Sequence, residues 1–323
     1  MPDRRSFLSL AALAAASYAL PARAQERFSH FVGSSPDDVR RMIQLAGLRD
    51  GDTVIDLGSG DGRIVLAALR AHPGVRGIGV DIDASLVRKS RDAARALGLA
   101  DRAEFHHHNA FDADLSRVDV IFMWLFPELM RLLRPKILAE ARAGTRVVAA
   151  TWDLGAWPPD AIDDVGGFVP SVRRWIVPAR IEGGWDWEFP LRGRTYSFSA
   201  LFEQRMQLAE GVVRVGSRRE VLQHMTLRGG ALAFSLRMTL PVIGHATLAF
   251  KGQVRGDAIE GSVLAELPVP GEDEAVDEVR VPWRARRSLR PAYFAPTGTQ
   301  LGASSAGTPA APSPAAGRSS SGG

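Results

Sequence analysis

The chain has 323 residues, of which 46% are hydrophobic, and a formal net charge of +4. It can bury a full core, its length suits about two domains, and a disordered or fibrous chain is excluded. The charges are scattered, with Lys89, Lys136 and Lys251 the only lysines, so no nucleic-acid-binding stripe stands out. With no cysteine there is no disulfide, thiol nucleophile or thiolate metal site.

Residues 1–24 read as a targeting segment. Arg4-Arg5-Ser6-Phe7-Leu8 resembles the twin-arginine export motif, Phe7 to Leu20 is a short apolar run, and Ala22-Arg23-Ala24 offers small residues for cleavage. The run is too short for a comfortable membrane span. The expectation is a mature chain from about Gln25 that keeps no stable membrane span. It would be periplasmic or otherwise exported, with the twin-arginine translocase as a transient partner, or cytoplasmic if the segment is not a signal.

A first helix starts at Ser35-Pro36-Asp37-Asp38, with Ser35 as N-cap and Pro36 at the first helical position. Val39, Met42, Ile43 and Ala46 share one face, and Gly47 ends the helix. The apolar run Val54-Ile55-Asp56-Leu57 then breaks into Gly58-Ser59-Gly60-Asp61-Gly62, and a helical pattern resumes at Arg63 and continues to about His72. A second strand at 77–80 closes on Asp81-Ile82-Asp83, and a helix spans 84–97. Further strands are expected at 103–108 and 118–124, a helix at 129–141 and a fifth strand at 146–150. Strands alternating with helices imply an α/β fold, a Rossmann-like parallel sheet with both faces covered.

From about residue 170 the pattern changes. Arg174 to Ile181 and Trp185 to Phe189, joined across Gly183-Gly184, suggest a hairpin that finishes the first sheet, with a domain boundary near residue 190. Beyond it, short alternating segments such as Tyr196 to Phe202 and Ala246 to Phe250 predict an antiparallel β-rich domain, a sheet or partial barrel, over 191–294. Residues 295–323 are dominated by Pro, Gly, Ser, Ala and Thr and are expected to form a disordered tail.

The glycine turn follows a strand at the end where open α/β sheets bind cofactors. Its spacing, G-x-G-x-G, differs from the dinucleotide fingerprint G-x-G-x-x-G. Asp56 and Asp61 would repel a pyrophosphate and suit a cation. S-adenosylmethionine carries a sulfonium and an ammonium and no phosphate, so the acidic turn is complementary to it. Asp81 stands about twenty residues on, where an acid accepts ribose hydroxyls. Asn109-Ala110-Phe111 ends the third strand, where the amide either meets an adenine edge or only caps the turn.

These residues resemble the class I S-adenosylmethionine-dependent methyltransferases. Residues 54–64 are similar to their first motif and Gly79-Val80-Asp81-Ile82-Asp83 to their second. The likeness is strongest to bacterial relatives of the mitochondrial lysine methyltransferases. It runs on through Leu133-Arg134-Pro135-Lys136, Gly144 to Val148 and Trp157-Pro158-Pro159-Asp160, about residues 30 to 190. It implies a cofactor set of Asp56, Gly58, Ser59, Gly60, Gly62, Asp81, Ile82, Asn109 and Ala110. In that set Asp56 and the glycines hold the methionyl part, Asp81 the ribose and Asn109 the adenine.

Asn109 stands where the family often has aspartate. Phe31 to Ser35 resembles a Y-V-P-T-P segment without its tyrosine hydroxyl and one proline, which leaves Phe31 as a substrate-pocket candidate. Met123 to Glu128 has no N-P-P-Y-like sequence, so DNA is not the expected substrate. Trp124 and Glu128 are the further pocket candidates, each with a structural alternative as a core side chain and a helix-start acid. His106 and His108 share a strand face but lack a third ligand, and no metal is expected. The reading is a methyltransferase of unknown acceptor, a protein lysine or a small molecule. The alternative is an exported binding protein that keeps the cofactor fold.

Overall fold

The structure, a computed structural model, describes residues 33–166, 169–271 and 275–288. The expected signal segment, Phe31 and the expected tail lie outside the described residues.

Helix α1 (Pro36–Ala46) starts as its sequence dictates. Ser35 Oγ accepts the Asp38 N–H at 3.1 Å, Pro36 enters the first turn, and Gly47 closes the helix in the left-handed region. There follow β1 (Thr53–Leu57), α2 (Arg63–Ala71), β2 (Arg76–Asp81), α3 (Ala84–Ala96), β3 (Ala103–His107), β4 (Val120–Met123), α4 (Pro127–Glu140) and β5 (Arg146–Ala150). Two short strands, β6 (Ala161–Asp163) and β7 (Val172–Ile176), complete a seven-stranded sheet ordered β3-β2-β1-β4-β5-β7-β6. The first five strands are parallel, and β7 runs antiparallel to both β5 and β6.

Both faces of this sheet are covered, which is why β1, β4 and β5 are nearly continuous apolar runs. Val54, Phe122 and Val148 pack with Val39, Met42, Val65 and Val87 of α1 to α3, whereas Ile55, Ile121 and Val147 pack with Met130, Leu133 and Ile137 of α4. The alternation of strand side chains thus divides one sheet between two cores.

The second sheet holds β8 (Gly183–Leu191), β9 (Arg194–Arg205), β10 (Leu208–Val215), β11 (Arg218–Val221), β12 (Gln223–Arg228), β13 (Ala231–Leu240), β14 (Gly244–Arg255), β15 (Ala258–Pro268) and β16 (Val276–Arg287). It is antiparallel and nearly barrel-shaped, ordered β11-β10-β9-β8-β16-β15-β14-β13-β12. Alternate residues of these strands fill its interior. Trp187 stacks on Phe198 with ring centroids 5.5 Å apart, and Phe234 stacks on Phe250 at 4.7 Å.

The expected hairpin finishing the first sheet is not there. β7 pairs with β5 and β6, whereas β8 pairs with β9 and β16. Gly183-Gly184 begins β8 instead of turning a hairpin, and Pro178, with no N–H to donate, stands in the crossing between sheets. The change of sheet therefore falls between Ile176 and Gly183, before the expected residue 190. Pro190 lies inside β8, past Trp187, where the pairing of β8 with β16 has ended and a missing N–H is tolerated.

The two sheets meet at the amino ends of the parallel strands. Gly144, in the turn entering β5, donates to Val177 O at 2.8 Å, and Ala179 N–H donates to Gly229 O at 2.8 Å. Arg180 Nη2 reaches Leu138 O at the end of α4 at 3.1 Å. Among these contacts none involves the carboxyl ends of β1 and β2, where the glycine turn sits.

Candidate active site

The turn after β1 has positive φ at Gly58 (81°), Gly60 (54°) and Gly62 (80°), a conformation only glycine adopts without strain. Side chains are also excluded by space: a Cβ on Gly62 would lie 2.8 Å from the Phe105 ring. The turn is laced to the end of β2. Gly58 and Ser59 N–H both donate to Val80 O at 2.9 Å, Gly62 N–H donates to Ser59 O at 2.9 Å, and Gly60 N–H donates to Asp81 Oδ2 at 2.8 Å. These four backbone donors are satisfied internally. A pyrophosphate, which needs bare N–H groups, would find them occupied.

Three carboxylates converge here with different partners. Asp61 takes a two-pronged bond from Arg63, with Nε at 2.8 Å and Nη2 at 2.7 Å, and Lys89 Nζ stands 3.7 Å away. The Arg63 bonds hold its carboxyl below the usual range against a smaller opposing effect of burial. Asp81 accepts Gly60 N–H and, on its other oxygen, Asp83 N–H at 2.8 Å. Asp56 is buried with 1% of its surface exposed, and its Oδ1 has no hydrogen-bond partner. Burial first, then the charges of Asp81 and Asp61, push its carboxyl up to about 8. An orphaned, buried carboxyl oxygen between two other acids fits a cationic N–H donor such as an α-ammonium and opposes a phosphate.

Arg63 was not singled out by the sequence reading. Besides holding Asp61, its Nη1 donates to Ser34 O at 2.6 Å, and Gly33 leaves room for the guanidinium, since a Cβ there would lie 2.7 Å from Nη1. One side chain ties the segment ahead of α1 to the glycine turn. The alternation of Asp61 and Arg63 was the only sequence signal for it, and Ser34 is brought in by tertiary structure.

Asn109 closes β3 and caps a short turn: its Oδ1 accepts Phe111 N–H at 3.0 Å. The capping alternative is thus present, and it uses only the oxygen, leaving the side-chain NH2 to donate elsewhere. Ile82 and Ala110, partly buried, follow the ends of β2 and β3 on the same edge. Beyond β4, Trp124 is partly buried against the α1 to α3 core, and Glu128 is exposed in the first turn of α4. His106 and His108 do neighbour one another, with ring centroids 6.1 Å apart, but among the described residues no group of three or more metal-binding side chains occurs.

Residues 56–161 match the family described as the ANTKMT methyltransferase domain. A protein-lysine N-methyltransferase of Saccharolobus islandicus is 33% identical over 141 residues, covering 43% of this chain and 88% of that protein. The chain belongs to the class I S-adenosylmethionine-dependent methyltransferases. The mouse adenine nucleotide translocase lysine N-methyltransferase is 32% identical over 161 residues, covering 46% of this chain and 69% of that protein. A Salinibacter ruber RNA methyltransferase solved with S-adenosyl-L-homocysteine is 41% identical, with a TM-score of 0.45 over 46% of this chain and 96% of that one. This methyltransferase is related to the lysine methyltransferases and uses S-adenosylmethionine. The matches quoted cover less than half of the chain.

Proposed function

We propose that this methyltransferase acts on a lysine amine of a protein acceptor. The observation that carries this is the similarity to the Saccharolobus protein-lysine N-methyltransferase across 88% of that protein's length. The acidic surroundings of the turn support it, because they suit an amine and repel the phosphates of a nucleic acid. When bound, the cofactor would supply an electrophilic methyl group on its sulfonium for displacement by a lysine amine that has lost its proton.

The protein's part is to bind, orient and exclude water. Asp56 Oδ1 would hold the α-ammonium, Gly58, Ser59, Gly60 and Gly62 would accommodate the methionyl chain, and Asp81 would accept from the ribose hydroxyls beside its two backbone bonds. Asn109, whose Oδ1 is taken by Phe111 N–H, would offer its NH2 to the adenine, and Ile82 and Ala110 would serve the same part of the cofactor. Trp124 and Glu128 stand on the acceptor side. The test is incubation of the full chain with methyl-labelled S-adenosylmethionine and an envelope extract. Labelled methyllysine in the protein digest is the expected result; label confined to RNA or to small molecules would overturn the lysine reading.

The same proposal places the enzyme outside the cytoplasm, exported folded by the twin-arginine route. Arg4-Arg5 ahead of a short apolar run supports this. Arg4→Lys combined with Arg5→Lys is expected to retain the protein in the cytoplasm, as read by cell fractionation, and unchanged periplasmic recovery would sink the export reading.

A further inference from the structure

We propose that the β9–β10 hairpin of the second sheet is a positioning element for methyl transfer, its tip Met206-Gln207 bracing the connection that leaves β5 at the edge of the site. This gives the second sheet a part in the reaction, and it holds whichever acceptor is methylated. The hairpin projects from its sheet. Gly183 of β8 is level with Phe202 and Val221 of β11 with Val212, so residues 203–205 and 208–210 pair only with each other. A two-stranded finger is marginal by itself, and this one rests on what its tip touches.

The tip is built against its local preference. Met206 opens a two-residue turn at φ 58°, a position ordinarily given to glycine. In the turns β10–β11, β12–β13 and β14–β15 that position is Gly216, Gly229 and Gly256, at φ 59°, 54° and 60°. Here the chain accepts strain to place a long apolar side chain, and that side chain leaves its own sheet. Met206 packs against the α4-side core of the first sheet, which includes Leu154, Trp157, Trp175 and Val177. Beside it, Gln207 Nε2 donates to Pro158 O at 2.6 Å. Gln204 locks the tip to the chain that joins the sheets: its Oε1 accepts Ile181 N–H at 2.7 Å, and its Nε2 donates to Ala179 O and Met206 O, both at 2.8 Å.

What the tip meets is the connection from β5 to β6, residues 151–160. Both strands run antiparallel to β7 and so point the same way, which makes the connection cross back from the carboxyl end of β5 toward its amino end. It starts at the edge of the site, because only β4 separates β5 from β1. Thr151 stands there at φ 72°, held by donation of its N–H to Ser171 O at 2.9 Å and by Arg173 Nη1 on its carbonyl at 3.1 Å, and the half-exposed Trp152 follows. Leu154 and Trp157 are then fully buried with α4, whose Arg134 donates to Leu154 O at 2.6 Å, and Trp175 Nε1 donates to Trp157 O at 2.8 Å. At the far end Asp160 Oδ2 accepts Ile176 N–H at 2.7 Å, and Ile176 pairs with Arg146 at the start of β5. Between Trp157 and Asp160 stand Pro158 and Pro159, with no N–H to tie into a ladder. That stretch is held through Pro158 O, by the hairpin. Because Leu154 and Trp157 are close-packed, a shift at Pro158 is passed along the connection toward Trp152 instead of being absorbed. Near an acceptor, a misplacement of about 1 Å costs on the order of 100-fold in rate.

Three full-length variants test the brace. Met206→Asn suits the left-handed turn but removes the apolar side chain, Gln207→Glu keeps the shape but replaces the donor to Pro158 O with an acceptor, and Met206→Leu preserves the apolar contact as the conservative control. Hydrogen exchange on peptides spanning 151–157, read by mass spectrometry, is expected to be at least threefold faster in Met206→Asn and Gln207→Glu. Their affinity for S-adenosylmethionine, by calorimetry, should stay within about twofold of wild type, since the glycine turn lies at the other end of the strands. With methyl-labelled cofactor and envelope extract, the apparent KM for extract protein should rise at least fivefold while that for the cofactor is unchanged. Met206→Leu should restore both exchange and KM. A merely structural role would lower the melting temperature and act on both substrates alike. Unchanged exchange at 151–157 in folded Met206→Asn and Gln207→Glu, or faster exchange with a wild-type KM for extract protein, would overturn the brace. Extract protein that takes no label from the wild type would remove the protein-acceptor reading, and the faster exchange in the variants would still support the brace.

Discussion

Asp81→Ala is expected to weaken S-adenosylmethionine binding by at least about tenfold in a protein that still folds. Two ribose hydroxyls donating to this carboxylate would each contribute about 1.5 to 3 kcal/mol as hydrogen bonds to a charged acceptor. Even heavily discounted, that exceeds the roughly 1.4 kcal/mol that corresponds to a factor of ten. The structure adds a second cost. Asp81 Oδ2 holds Gly60 N–H and Oδ1 holds Asp83 N–H, so the alanine also frees the glycine turn from the start of α3. Asp81→Asn separates the two effects, because its single side-chain oxygen can keep one of those backbone bonds but not both. Its affinity should fall between wild type and Asp81→Ala. Titration calorimetry measures all three, with a thermal melt to establish folding. Equal affinity in a folded alanine variant would remove Asp81 from the site.

Much of the first sheet was legible because its signals are local. Ser35-Pro36 and Gly47 mark the two ends of α1 by cap chemistry that needs no tertiary partner, and the helix runs between them as expected. Val54 to Leu57 read as a buried strand because parallel strands covered on both faces need no polar alternation. The glycine turn was legible because positive φ at three positions demands that residue. What failed was partner choice. Val172 to Ile176 and Gly183 to Leu191 look alike as strands, and nothing local says that the first joins β5 and the second β9 and β16. The length of sequence between partners hides such pairings: β8 meets β16 about a hundred residues later.

The site divides the same way. The acidity of the turn was legible, but its distribution was not. Asp61 is offset by Arg63 two residues away and by Lys89 from α3, so the carboxyl left for a cation is Asp56, one strand residue from the turn. Burial decides this, and a single Asp in a strand shows its burial only once the helices are packed over it.

That distribution leads to a pH dependence. Asp56 is raised to about 8 in the folded protein from an ordinary value of 3.8, by burial and by Asp81 and Asp61. Between those values the native state holds a proton that the unfolded chain releases, so the stability of the cofactor-free protein falls as pH rises from about 4 to about 8 and is level above. Binding an ammonium against Asp56 requires the ionised form, so the proton must leave on binding. Affinity for S-adenosylmethionine should therefore increase with pH, by up to tenfold per unit, and by roughly 25-fold from pH 6 to 7.5 for a carboxyl at about 8. That range stays below the pH at which an α-amino group loses its own proton, near 8. Asp61, kept ionised by Arg63, does not titrate there and cannot produce the slope. Calorimetry in buffers of different ionisation enthalpy should detect release of nearly one proton at pH 6.5. Asp56→Asn should bind more weakly at pH 7.5 and lose both the slope and the proton release. A wild type whose affinity is level across this range would place the ammonium elsewhere. A slope that persists in Asp56→Asn would assign the titration to another group.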